Sequence, residues 1–128
     1  MSRQFIAIVT VTHCTMCIVC AAIPGKPIQT LILVTTSSVE ISYEPSDDCD
    51  DSRAMKYRPK YREFGQTKWT SMPETSNSTQ TFSGLAADSV YEFTASAKYQ
   101  GGQWGPPSEL LHVKTKRTAP GTTYSVLL

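Results

Sequence analysis

The chain has 128 residues, 40% of them hydrophobic, with 12 Lys and Arg against 11 Asp and Glu. That length holds one domain and little more, and the near-neutral balance excludes a nucleic-acid binder that works through bulk positive charge. A fold of this size buries about 60–70% of its unfolded surface, so its core needs neither a metal nor disulfides.

Met1 to Gln4 carries Arg3, Phe5 to Cys20 runs apolar, and Cys20-Ala21-Ala22 supplies small residues before Ile23-Pro24-Gly25. A basic start, an apolar middle and a small-residue exit predict a secretory signal peptide over residues 1–22. A membrane anchor is the rival, but the run is short for a span and His13 would sit near its middle. Cys14, Cys17 and Cys20 beside His13 look like half of a metal site, yet no second ligand pair follows. Segment 1–22 holds Arg3 and no acid, so the remainder carries 11 charges of each sign. Cleavage would leave Cys49 as the one cysteine, which is unusual in a secreted chain. It would then be buried, paired with another chain, or deprived of its partner by truncation.

Pro24-Gly25-Lys26-Pro27 is a stiff lead-in. Leu31 to Thr35 is rich in strand formers and predicts a first strand, and Ser37-Ser38 punctuates it. Val39 to Tyr43 alternates, with Val39, Ile41 and Tyr43 inward, and predicts a second. Glu44 to Ser52 is a loop. Met55 to Arg62 alternates, with its aromatics on one face and four cations on the other, and predicts a third strand. Phe64-Gly65-Gln66 turns the chain, and Thr67 to Ser71, around Trp69, predicts a short fourth. Met72 to Asn77 is a polar loop, and Thr79 to Phe82 predicts a fifth strand. Leu85 to Ala97 begins as a tight corner and becomes a sixth, with Tyr91, Phe93, Ala95 and Ala97 on one face. A tyrosine at that position can bury its ring while its hydroxyl bonds to the backbone just upstream. Gly101 to Pro107 is a hairpin loop, and Leu111, Val113 and Thr115 alternate in a seventh strand. Seven short strands with turn signals between them predict an all-β, immunoglobulin-like sandwich.

This ordered set resembles a fibronectin type III domain. The matching residues are the proline-led first strand, Tyr43, Tyr57-x-Pro59-x-Tyr61, Trp69, Leu85, Tyr91-x-Phe93-x-Ala95-x-Ala97, Gly105-Pro106-x-Ser108 and Thr115. The resemblance covers about residues 24–117, within a domain expected over 23–118, and implies structural roles for Tyr43, Trp69, Leu85 and Tyr91. Two features depart from the family. Tyr43 stands where the family usually has Trp, and Pro59 falls inside a central strand, where it removes a ladder donor. Its nitrogen should therefore lie at a bulge, or the strand should be irregular there. The resemblance implies a non-enzymatic module with no cofactor.

Chemistry finds few handles. His112 lies in a strand, and an enzymatic role would need a pocket that gathers it with a carboxylate. Asp47, Asp48, Asp50 and Asp51 could ligate calcium, but no glycine supplies the sharp turn and Arg58 stands at the twelfth position, so a solvated loop is expected and no metal. Lys56, Arg58, Lys60 and Arg62 fall on one side of the third strand, facing solvent if Tyr57 and Tyr61 face the core. Such a ridge suits a sulfated glycan or an acidic protein patch, while Glu92 on a neighbouring strand would partly neutralise it. Asn77-Ser78-Thr79 is a glycosylation sequon. Trp104 lies in the sixth-to-seventh loop, either as an exposed partner anchor or folded back over the sheet. Trp104 to Ser108 faintly resembles the Trp-Ser repeat of cytokine receptors, without arginines at the outward positions of the sixth strand, which are Glu92, Thr94, Ser96 and Lys98.

Residues 119–128 read as a linker or the truncated start of a further module. The expectation is an extracellular binding or adhesion module contacting protein or glycan, part of a larger receptor or matrix protein. The alternative is a ligand-binding piece of a cytokine-receptor-like receptor. The expected location is secreted or on the outer face of the plasma membrane. Nucleic acid is not an expected partner. Membrane contact would come only through a missing downstream span or an uncleaved first segment.

Overall fold

A computed structural model describes residues 23–46 and 53–118. The predicted signal segment 1–22, the acidic cluster with Cys49, and the predicted linker 119–128 lie outside the described residues.

Seven strands form, β1 (Ile28–Val34), β2 (Val39–Glu44), β3 (Met55–Glu63), β4 (Thr70–Ser71), β5 (Thr79–Phe82), β6 (Val90–Tyr99) and β7 (Leu111–Lys114). They make two antiparallel sheets, ordered β1-β2-β5 and β4-β3-β6-β7. The predicted sandwich is the observed architecture. Its strands match the sequence pattern best where alternation is strict. β2 buries Val39, Ile41 and Tyr43, and β6 buries Tyr91, Phe93, Ala95, Ala97 and Tyr99. Between the sheets the Tyr61 ring lies against Phe82, Tyr91 and Phe93, while Phe82 and Phe93 centroids are 4.8 Å apart.

Two predicted strands are corrected. The first starts three residues earlier, after Pro27, and bulges between Leu31 and Leu33. It lies at a sheet edge, so Leu31, Ile32 and Leu33 stay 40–54% exposed. The fourth is only Thr70–Ser71; Trp69 precedes it.

Pro59 is accommodated without any break in the β3–β6 register, where it faces Ala95. The bonds Gln100 N to Ala54 O and Phe64 N to Val90 O show that the even-numbered residues of β3 bond to β6. Odd residues therefore turn their main-chain groups to the other side. There Tyr57 pairs with Thr75, Pro59 accepts from Met72 N at 2.9 Å, and β4 takes over only at Lys60. The missing donor thus faces Met72, where the pairing shifts by one residue between the Tyr57–Thr75 bridge and β4, and Pro59 itself is fully buried.

The corner before β6 is held at both ends of one peptide residue. Ala86 N donates to the Tyr91 hydroxyl at 2.8 Å, and the Thr115 hydroxyl donates to Ala86 O at 2.6 Å. Asp88 takes φ of 54° in the turn that follows, a conformation Asp tolerates better than most residues.

Candidate functional site

Alternation along β3 puts Tyr57, Pro59 and Tyr61 inward, which leaves Lys56, Arg58, Lys60 and Arg62 on the outer face. The outer residues of β6 and β7 add Glu92, Thr94, Ser96, Lys98, His112 and Lys114 beside them. The four strands of this sheet hold six Lys and Arg. Those of the other sheet hold none, and carry Glu40 and Glu44.

Two indoles lie on this basic face. The Arg58 guanidinium is 4.3 Å from the Trp104 ring centre, and Lys98 Nζ is 4.8 Å from it. Arg62 is 4.2 Å from the Trp69 ring centre and Lys60 Nζ is 5.3 Å from it. Each exposed contact of this kind is worth roughly 0.5–1 kcal/mol, and it leaves the cation charged. Trp104 is thus half-buried and folded back over the sheet, next to Arg58. The stacking cations come from β3 as well as β6; a search along the sixth strand alone could not have found them.

Carboxylates interrupt the ridge. Arg62 Nε donates to Glu92 Oε1 at 2.7 Å, and His112 Nε2 lies 2.8 Å from Glu92 Oε2. These are cross-strand neighbours, Arg62 opposite Glu92 and Glu92 opposite His112, so one row crosses three strands. Glu92 is only 6% exposed. The Arg62 hydrogen bond, chiefly, holds its carboxyl below the usual range, against the opposing effect of burial and with His112 adding to the lowering. Lys56 and Lys98 also face each other across strands, a repulsive pairing. Glu74, from the loop after β4, lies between them at 3.6 and 3.7 Å. Nothing in the sequence singles out Glu74, because its reach depends on the path of its loop.

No family model matches the sequence, and no curated protein matches it. Solved structures do. A myokine structure superposes with a TM-score of 0.61 at 18% identity, over 73% of this chain and 99% of that one. The fibronectin type-III domain of human fibronectin type III domain containing protein 3 gives 0.64 at 15% identity, over 74% of this chain and 88% of that one. The chain has the fibronectin type III fold.

Within that fibronectin type III frame the remaining candidates are spread apart. Asn77 is exposed in the bend before β5, its amide bonded to the Thr75 hydroxyl at 3.0 Å. Leu85 is buried at the corner. Tyr43 stacks on Tyr57 with ring centres 5.3 Å apart. Its hydroxyl is buried with no hydrogen-bond partner among the described residues, and burial pushes the phenol far above its ordinary range. His112 meets a carboxylate, but on an open sheet face. A cavity of about 250 Å³ lies elsewhere, between Lys26–Gln29 and Glu109–Leu111.

Proposed function

We propose that this is an extracellular fibronectin type III binding module that contacts an acidic partner, a protein or a glycan, through the outer face of β3. The observation that carries the reading is the placement of every strand Lys and Arg on one sheet, with Glu40 and Glu44 on the other. A polarised surface of this kind orients a charged partner toward one face before contact. The predicted signal segment, the Asn77 sequon and the fold of the solved neighbours support an extracellular setting. Binding of this kind involves no reaction and no cofactor. The test is retention on immobilised heparin. Lys56→Glu with Lys60→Glu is expected to abolish retention; unchanged retention rejects a glycan contact on this face.

One observation favours a second reading, a ligand-binding piece of a cytokine-receptor-like protein. Trp104, just before Gly105-Pro106-Pro107-Ser108, stacks on Arg58 and Lys98 in a cation–aromatic pile. That reading requires a second sandwich domain adjoining this one, and the parent transcript decides it.

A further inference from the structure

The six cations of the basic sheet are not equally available. Arg62 is bonded to Glu92, Lys56 and Lys98 share Glu74, and Lys114 lies 3.3 Å from Asp88. Among the described residues only Arg58 and Lys60 of the six have no carboxylate partner. Each lies over an indole instead, Arg58 on Trp104 and Lys60 on Trp69, which positions the charge without cancelling it. We infer that the anion subsite of this face is the Arg58–Lys60 pair, that it takes a sulfated glycan, and that Glu74 weakens it by holding Lys56 and Lys98.

This inference rests on the basic-face reading and sharpens it. Outward positions 58 and 60 are about 6.5–7 Å apart, and the row from Lys56 to Arg62 runs roughly 20 Å along the strand. A linear polymer with fixed anions at intervals can follow such a row. Neither Arg58 nor Lys60 lines the cavity at the β1–β7 margin; they stand on the outer face of the sheet, and a ligand here lies across it. Sulfate stays ionised across the working pH range and accepts several hydrogen bonds. Arg58 offers it a planar fork of donors and Lys60 a mobile ammonium. Glu74 occupies the end of the row, where its two oxygens are held by the facing lysines. Its neutral isostere would release both lysines and remove one repulsive charge from the path of the polymer.

The test is salt elution of the full chain from heparin, with thermal unfolding to verify that each variant folds. Glu74→Gln is expected to bind roughly fivefold more tightly, the scale of one ion pair in high dielectric. Arg58→Gln should weaken binding by about the same factor, and Arg58→Lys should recover only part of it, because the ammonium keeps the charge but not the planar fork. No gain with Glu74→Gln overturns the inference, and so does no loss with Arg58→Gln. If Lys56→Glu with Lys60→Glu has meanwhile abolished retention, the basic-face reading stands without it; if that double variant is still retained, glycan contact on this face is rejected and the inference falls with it. Polyglutamate is the competing class. Displacement by polyglutamate as effective as by soluble heparin overturns the glycan assignment, and failure of polyglutamate to displace supports it.

Discussion

The Tyr91 hydroxyl takes its hydrogen bond from the Ala86 amide, five residues upstream, at 2.8 Å. The same residue's carbonyl is held by Thr115, so the end of β7, the corner and the start of β6 are fastened through one alanine. Tyr91→Phe removes one of the two fastenings and nothing else. It is expected to cost about 1 kcal/mol, seen as a lower denaturant midpoint with an unchanged slope. Thr115→Val is expected to cost more, about 1–3 kcal/mol, because this buried hydroxyl also accepts from Ser89 N at 3.0 Å. A double-mutant cycle should show the two coupled, since they share Ala86.

Tyr43 gives a prediction of the opposite sign. Its ring packs on Tyr57, while its hydroxyl lies buried without a partner among the described residues. Tyr43→Phe keeps the stack and removes the unsatisfied group. It is expected to raise the unfolding midpoint, by up to about 1–2 kcal/mol of stability. A loss of stability would show that the hydroxyl is bonded after all.

Glu92 predicts an acid-sensitive fold. Its carboxyl is held below the ordinary value of 4.5, first by Arg62 and then by His112. A lowered folded-state value means the stabilisation is complete above the unfolded value and is lost as pH falls through the folded one. Stability measured by urea titration should therefore drop below about pH 4.5, and Glu92→Gln should flatten that drop. Glu109, held down by Lys26, adds a second contribution that the variant leaves in place.

Gly105 is a packing glycine. A Cβ there would collide with the carbonyl of Pro24, a fully buried residue of the lead-in. Gly105→Ala must move backbone, not a flexible side chain. It is expected to cost about 1–3 kcal/mol, more than Ala at the unobstructed, exposed Gln103 would. Thermal unfolding of the two variants side by side checks it.

Asn77 sits exposed before β5, where an oligosaccharide meets no packed surface. Expression through a secretory pathway is expected to add one N-glycan. Its removal by glycosidase should shift the mobility of the wild type and leave Asn77→Gln unmoved.

Strict alternation made β2, β3 and β6 legible, because a period of two assigns every side chain to a face once one is fixed. The outward ridge of Lys56, Arg58, Lys60 and Arg62 followed from the same rule. What sequence could not supply was partnership across chain distance. Glu74 reaches Lys56 and Lys98 only because of the path its loop takes, and Trp104 meets Arg58 only because the loop folds back. Pro59 reads as an irregularity from sequence because its neighbours are not legible there; its pairing with β6 is regular, and the shift lies in the opposite segment, between Met72 and Thr75. The exposure of β1 was equally hidden, since Leu31-Ile32-Leu33 reads as core material until the strand is seen at the rim.

That rim strand has a practical consequence. Ile28-Gln29-Thr30-Leu31-Ile32-Leu33-Val34 contains no charge and no proline, the two residue types by which natural sheets usually discourage strangers from adding on. Only the kink between Leu31 and Leu33 interrupts it. Concentrated or partly denatured samples will therefore cloud from this margin first, and one lysine set into it, at Ile32, is the natural remedy.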